Sequence, residues 1–143
     1  NNYIKLTLAY HLEDSKVNYN NINQYLNNVL LNKLEKNNLV KCPFYGGNYS
    51  KDNNYDYKEI YNKKEYSYIG LPSVTELFIT DDSDIWLNNY NNNSLIYTTN
   101  TLGRLFLDNN DNLHYLKPSI CINGNITILS GSGTNTDPYI LEE

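Results

Sequence analysis

The sequence is short of several features that would define its class. Its 143 residues include no methionine, one tryptophan and two cysteines, and the net charge is −5. No run approaches the roughly 18 consecutive apolar residues of a membrane-spanning helix, so we expect no membrane segment within the chain. Basic residues never cluster beyond Lys63-Lys64, which argues against nucleic acid and anionic membranes as partners. Without a glycine period or a heptad, collagen and coiled coil are excluded as well.

The chain begins at Asn1, without methionine and within a strand-like pattern. We therefore expect either a removed leader or a longer parent protein, with a signal peptide or an anchor helix upstream. The protein would then be exported, and either extracellular or attached to the cell surface.

The two cysteines, Cys42 and Cys121, form no C-x-x-C pair. Together with His11 and His114 they give no zinc-ligand spacing, so we expect neither a metal nor a cofactor. Two alternatives remain for the cysteines. They form one disulfide, as is usual in exported proteins, or they are two buried thiols.

Asparagine and tyrosine are what the chain has in excess. It contains 27 Asn and 15 Tyr, whereas charged residues make up only 19%. Drift in an AT-rich genome would produce this bias. The functional alternative is a recognition surface rich in Tyr and Asn, since these residues are common in binding loops.

The most regular element is an amphipathic helix over residues 22–34. Apolar residues recur there at i, i+3, i+4, i+7 and i+8, which is the stripe that a helix buries. Asn21 is the expected N-cap, with Gln24 in the reciprocal position. A second, short helix is predicted over residues 74–79, following the capping-box pattern Ser73-Val74-Thr75-Glu76.

Period-two alternation predicts a strand over residues 3–10 and several short strands from residue 85 onward. Polar turns separate the later strands, and Asn123-Gly124 is a strong hairpin-turn dipeptide. Helices early and antiparallel strands late predict an α+β fold in a single domain, residues 1–143.

The segment 46–66 opens with Gly46-Gly47 and contains one aliphatic residue, Ile60, but several tyrosines. We predict a long Tyr-rich loop; the alternatives are a poorly ordered excursion and an unrecognised hairpin. A loop that buries little cannot hide many tyrosines, so we expect a contact surface formed by residues 46–66 and 88–94. The candidate binding residues are Tyr49, Tyr55, Tyr57, Tyr61, Asn88, Tyr90 and Asn92.

Residues suited to catalysis are scarce. The two histidines are His11 and His114, and the alternating pattern around His114 favours a structural imidazole over a general base. No Gly-x-Ser-x-Gly elbow accompanies either of them. Asp81, Asp82 and Asp84 are expected to form a solvated acidic turn, because calcium needs six to eight oxygens from several segments. We therefore predict no catalytic residues and no metal site.

The C-terminal run Ser130-Gly131-Ser132-Gly133-Thr134-Asn135-Thr136-Asp137-Pro138-Tyr139-Ile140-Leu141 resembles the closing motif G-x-G-T-x-x-[ND]-P-Y-x-[IL] of an uncharacterised family in Gram-positive bacteria. Phrases such as Ile69-Gly70-Leu71-Pro72-Ser73 and Trp86-Leu87 follow the same order. The resemblance implies a C-type-lectin-like fold, related to the formylglycine-generating enzymes. One amphipathic and one short helix would pack on short, twisted antiparallel strands. The strand at residues 3–10 would pair with the C-terminal region, residues 119–141.

The resemblance also implies an exported or surface-attached module without a known activity. The Glu-Pro-Asn and Gln-Pro-Asp triplets of calcium-dependent lectins are absent. We predict a non-enzymatic extracellular binding or adhesion module whose partner is a protein or a glycan at the cell surface. The alternative is the globular head of a pilin-like subunit that self-assembles into a filament. An enzyme related to the formylglycine-generating fold, using Cys42 and Cys121, is a remote alternative.

Overall fold

The computed structural model describes residues 2–7, 16–34, 36–51, 57–76, 84–92, 94–134 and 136–142. These residues form a β-rich α+β fold with one helical segment and ten strands. The strands are β1 Tyr3–Thr7, β2 Cys42–Lys51, β3 Tyr57–Ser67, β4 Ile69–Gly70, β5 Trp86–Asn92, β6 Leu95–Thr99, β7 Leu105–Asn109, β8 Ser119–Asn123, β9 Ile128–Ser130 and β10 Ile140–Leu141.

The strands form three sheets. The largest has the order β3-β2-β5-β6-β7, a second has the order β1-β8-β4, and β9 pairs with β10 alone. In the second sheet β1 runs antiparallel to β8, with Tyr3 opposite Asn123 and Thr7 opposite Ser119. The predicted pairing of the first strand with the C-terminal region is therefore confirmed. It places the start of β1 beside the end of β8.

The predicted helix at residues 22–34 is confirmed in position but is irregular. One α-helical turn, α1 at Ile22–Tyr25, continues into a wider π-helical turn at Leu26–Leu30 and a 3-10 turn at Leu31–Lys33. Ile22 and Leu26 are buried in the core. The predicted side-chain cap is wrong: Asn21 has a φ of 61° and makes no capping hydrogen bond. An N-cap side chain reaches the helix from extended backbone, which left-handed Asn21 does not provide.

The expectation of a long loop at residues 46–66 is wrong. Strands β2 and β3 pair as an antiparallel hairpin, with a register shift between Gly46 and Asn48. The glycines that suggested a loop lie within β2, where Gly47 pairs with Asn89 of β5. A side chain on Gly46 would collide with the backbone carbonyl of Asn88, so close approach of these strands requires glycine there.

The capping box at residues 73–76 is confirmed. The amide of Glu76 donates to the Ser73 hydroxyl at 3.3 Å, and the amide of Ser73 donates to the Glu76 carboxylate at 3.4 Å. The rest of the predicted short helix, residues 77–79, lies outside the described residues. The same Glu76 carboxylate pairs with Lys5 at 3.0 Å, which ties the capping box to β1.

The main core forms between the helical segment and the strands, around Trp86, which is fully buried. Next to it, a smaller cluster contains Phe44 and a disulfide between Cys42 and Cys121. The two Cα atoms of this disulfide are 6.1 Å apart. Because Cys42 belongs to β2 and Cys121 to β8, the bond joins the five-stranded sheet to the three-stranded one.

The closing motif builds the turn between β9 and β10. The backbone amides of Ser132, Gly133 and Thr134 all donate to the carbonyl of Asp137. The carboxylate of Asp137 accepts a further bond from the Ser132 amide at 2.9 Å. Gly131 has a φ of 96° and lies against the carbonyl of Pro138, where a Cβ would collide. These contacts give the motif a structural explanation.

Gly131→Ala is expected to loosen this turn by about 1–3 kcal/mol, because it adds both left-handed strain and a collision. Hydrogen exchange of the Ile128–Ser130 amides measures the effect. Gly103→Ala is the matched control, followed by exchange of the neighbouring Leu105–Asn109 amides, since Gly103 has a φ of 72° with nothing near its Cβ position. Equal losses in the two variants would show that the contact with Pro138 contributes nothing.

Candidate functional site

The structure does not assemble the predicted contact residues as one exposed loop. Asn88 is buried, and its amide donates to the carbonyl of Tyr45 at 3.0 Å, so its predicted role at an exposed surface is wrong. Tyr90 is half-buried and packs against the main core. Tyr55 lies outside the described residues. Four others have described backbones but undescribed side chains: Tyr49 in β2, Tyr57 and Tyr61 in β3, and Asn92 in β5.

An exposed row of side chains crosses the β2–β3 hairpin next to these positions. Tyr45 stands opposite Lys64 in the antiparallel register, and Tyr66 follows two residues later on the same side of β3. The Lys64 ammonium lies 5.7 Å from the Tyr45 ring centre and 4.9 Å from that of Tyr66. Tyr66 is 59% exposed and Tyr45 is 37% exposed. We call these three residues the Tyr-Lys-Tyr row.

Electrostatics holds the row together. A hydrogen bond to Tyr66, followed by attraction to Tyr45, raises the pKa of Lys64. The ammonium therefore stays charged between two aromatic rings, an arrangement that cation–π attraction favours. Because sheet pairing fixes the backbone of both strands, the rings are presented without a flexible loop.

A groove of about 820 Å³ lies where β1 and β8 meet. It is lined mainly by asparagine amides and tyrosine rings, with Lys41 beside them and with Leu39 and Val40 as its aliphatic residues. The Lys41 ammonium lies 5.5 Å from the centre of the Tyr68 ring. The residues that define its chemistry are Asn2, Tyr3, Lys41, Tyr68, Asn123 and Asn125. We call this cavity the Tyr/Asn groove.

The backbone around the Tyr/Asn groove is tied down by the disulfide and its neighbours. The amide of Val40 donates to the carbonyl of Cys121 at 2.9 Å, and the amide of Cys121 donates to the carbonyl of Tyr68 at 3.3 Å. The amide of Gly124 donates to the carbonyl of Asn2 at 3.1 Å. The segments around Asn2, Val40 and Tyr68 are thus each tied by a backbone hydrogen bond to residues 121–124.

A partly buried charge network lies beside Trp86. Its members come from segments that are far apart in the sequence. His114 lies between two carboxylates: its Nδ1 is 2.6 Å from Asp84 and its Nε2 is 2.7 Å from Asp108. Lys16 forms an ion pair with the second oxygen of Asp84. The His114 ring also contacts the Trp86 ring edge-on, with centroids 4.5 Å apart. We call these four charged residues the His114 network.

Hydrogen bonds within the network lower the pKa values of both carboxyl groups. Burial alone would raise the pKa of Asp84, but hydrogen bonds from Lys16 and His114 outweigh burial and lower it. The pKa of Asp108 is lowered in the same way, with His114 and Asn112 as its main donors. Both ring nitrogens of His114 are engaged by carboxylates, at 2.6 Å and 2.7 Å, which favours a structural role over contact with a substrate.

Sequence reasoning missed this network. Asp84 was expected in a solvated turn with Asp81 and Asp82; it is buried instead, and the other two lie outside the described residues. Asp84 and His114 are 30 residues apart, so no local pattern links them. The one usable signal was His114 itself, an ionisable residue in an apolar alternating strand, which requires partners when buried.

A second cavity of about 530 Å³ borders the network through Lys16. Its walls combine amides such as Asn21 and Gln24 with apolar surface from Val17, Val29 and Leu113. Among the residues that the structure describes, no group of three or more His, Cys, Asp or Glu side chains could hold a metal ion. Within that same part of the chain, no helix has the length and apolarity needed to span a membrane.

No protein-family model, no curated protein and no solved structure matches the chain significantly.

Proposed function

We propose that the chain is a non-enzymatic, exported binding or adhesion module. Its partner is a protein or a glycan at the cell surface, and the Tyr-Lys-Tyr row is part of its contact surface. The observation that carries this proposal is the exposure of Tyr45 and Tyr66 around a charged Lys64 on a rigid hairpin.

Such a row has the properties of an interface centre. Each tyrosine offers a flat apolar ring with a hydrogen-bonding tip at modest entropic cost, and tyrosine is enriched at binding hot spots. The β3 strand lies at the edge of its sheet, so a partner can approach the row from the side as well. The predicted binding residues Tyr49, Tyr57 and Tyr61 belong to the same two strands.

Two further observations support the proposal. The disulfide between Cys42 and Cys121 is typical of exported proteins. The pairing of β1 with β8 agrees with the C-type-lectin-like resemblance, which implies that the strand at residues 3–10 pairs within residues 119–141. We propose that finer fold assignment along with the function.

A Tyr45→Ser/Tyr66→Ser double variant is expected to bind at least about tenfold more weakly than the wild type, because two hot-spot rings are lost. The measurement is binding to immobilised glycans and to immobilised extracellular-matrix proteins. Thermal stability should change little, since both rings are exposed.

Leu102→Ser is the control, because Leu102 is 75% exposed and lies outside the hairpin. It should bind as the wild type does. If the double variant binds as well as the wild type, the Tyr-Lys-Tyr row is not part of the contact surface. A wild-type protein that binds neither array would contradict the adhesive function itself.

A further inference from the structure

We propose that the Tyr/Asn groove binds an acidic saccharide of one or two rings. The groove is separate from the Tyr-Lys-Tyr row and is assembled by different strands. The inference goes beyond a general contact surface, because it names a second site and the chemistry of its ligand.

The size of the groove fits a small ligand. Its volume of about 820 Å³ lies within the roughly 300–1,000 Å³ of small-molecule sites. Most such sites are predominantly apolar, whereas this one is lined largely by amides and phenols. A lipid or another apolar molecule would leave those polar groups without partners, at a cost in binding. A hydroxyl-rich ligand would satisfy them.

The lining groups match the functional groups of a sugar. The amides of Asn2, Asn123 and Asn125 each supply both donors and acceptors, as adjacent hydroxyls on a sugar ring require. Tyr3 is exposed and Tyr68 is half-buried, so both rings are able to cover the C–H face of a sugar.

The charge of the groove selects an acid. Lys41 is the single charged side chain among the described residues that line it. Two other lysines, Lys5 and Lys16, pair with the carboxylates of Glu76 and Asp84. In the part of the chain that the structure describes, Lys41 has no carboxylate partner; its ammonium lies over the Tyr68 ring. A ligand carboxylate would form a charge-assisted hydrogen bond there.

The groove is also organised before a ligand arrives. Its walls come from β1, from the end of β8 and from the segment leading into β2, and the disulfide joins the last two. A site that is already rigid loses little conformational entropy on binding. This matters for a saccharide, whose individual hydrogen bonds with a protein replace hydrogen bonds with water.

The test is an NMR titration of ¹⁵N-labelled protein with glucuronic acid, galacturonic acid and N-acetylneuraminic acid. Glucose and acetate are the reference ligands, the first lacking the carboxylate and the second lacking the ring. An acidic sugar is expected to shift the amides of Tyr3, Lys41 and Asn123 and to bind about tenfold more tightly than glucose or acetate. Lys41→Gln should abolish that tenfold preference for the acid.

Tyr3→Ser leaves the Lys41 charge in place, so it should weaken the binding of the acidic sugar and the binding of glucose alike. Leu102→Ser is the control, because Leu102 is 75% exposed and lies neither in the Tyr/Asn groove nor in the Tyr-Lys-Tyr row. It should leave these titrations unchanged. The dispersion of the amide resonances verifies that each variant is folded. Lys41→Gln is expected to fold normally, because Lys41 is a surface residue.

Three results would overturn the proposal: no shifts with any of the acidic sugars, shifts confined to residues outside the groove, or glucose binding as tightly as the acids. None of these results bears on the Tyr-Lys-Tyr row, which is tested by the binding of the Tyr45→Ser/Tyr66→Ser variant to immobilised partners. Conversely, loss of the adhesive function through the row would leave sugar titration of the groove intact. The two proposals therefore fail separately.

Discussion

A Cys42→Ala/Cys121→Ala double variant is expected to lose about 4.5 kcal/mol of unfolding free energy, because the disulfide closes a long loop of the unfolded chain. The two cysteines are 79 residues apart, so their cross-link strongly restricts the unfolded ensemble. The disulfide is also fully buried, next to Phe44. Removing it therefore affects packing as well as chain entropy.

Urea unfolding of the oxidised wild type, the reduced wild type and the double variant measures this loss. The two forms without the bond should share a lower midpoint, and reductant should not change the double variant further. The three-stranded sheet should show the first loss of hydrogen-exchange protection, since Cys121 lies at the centre of β8. Equal midpoints for the oxidised and reduced wild type would contradict the expected contribution.

Local patterns in the sequence predicted local structure well. Apolar spacing located the helical segment that starts at Ile22, and the capping-box pattern at residues 73–76 predicted hydrogen bonds that the structure contains. Each depends on residues within a few positions of one another, so the sequence carries the information directly. The side-chain cap at Asn21 failed because backbone conformation, which residue type does not determine, decides capping.

The hairpin was missed for a different reason. Counting aliphatic residues suggested that residues 46–66 bury little, but tyrosine favours strands as strongly as aliphatic residues do. The glycines at its start indicated a turn, although Gly46 is there because β5 approaches β2 too closely for a side chain. That approach involves Asn88, more than 40 residues away. A requirement imposed by a distant strand leaves no local trace.

The candidate sites could be predicted in composition but not in position. Tyr and Asn, the residue types in excess in the sequence, also line the Tyr/Asn groove. Their positions depend on pairing of β1 with β8 and on the disulfide, which gather Tyr3, Lys41 and Asn123 from three segments. Asn88 is of the predicted residue type but is buried, and its side-chain amide donates to the carbonyl of Tyr45 inside the sheet.

Replacing His114 with leucine is expected to cost about 3 kcal/mol at neutral pH, because it leaves two largely buried carboxylates without their shared donor. Asp84 keeps Lys16, whereas Asp108 keeps only donors in its own turn, including Asn112. Asp84→Asn provides the matched background. In the Asp84→Asn background, His114→Leu leaves only the Asp108 carboxylate without this partner. The replacement should therefore lower the free energy of unfolding less there than in the wild type.

The pH dependence of this loss distinguishes lost charge pairing from lost packing. The pKa values of Asp84 and Asp108 are lowered in the folded protein, so their stabilisation is present above the unfolded-state pKa, about 4. This stabilisation disappears as the pH falls from the unfolded-state pKa through the folded-state pKa values of the two carboxyl groups. The wild type should therefore lose stability between about pH 5 and pH 2 more steeply than His114→Leu does. Urea unfolding at several pH values measures both curves. They should converge in acid, because protonated carboxyl groups no longer depend on their contact with the His114 ring; a constant gap between them would mean that His114 stabilises the fold through its contact with Trp86 alone.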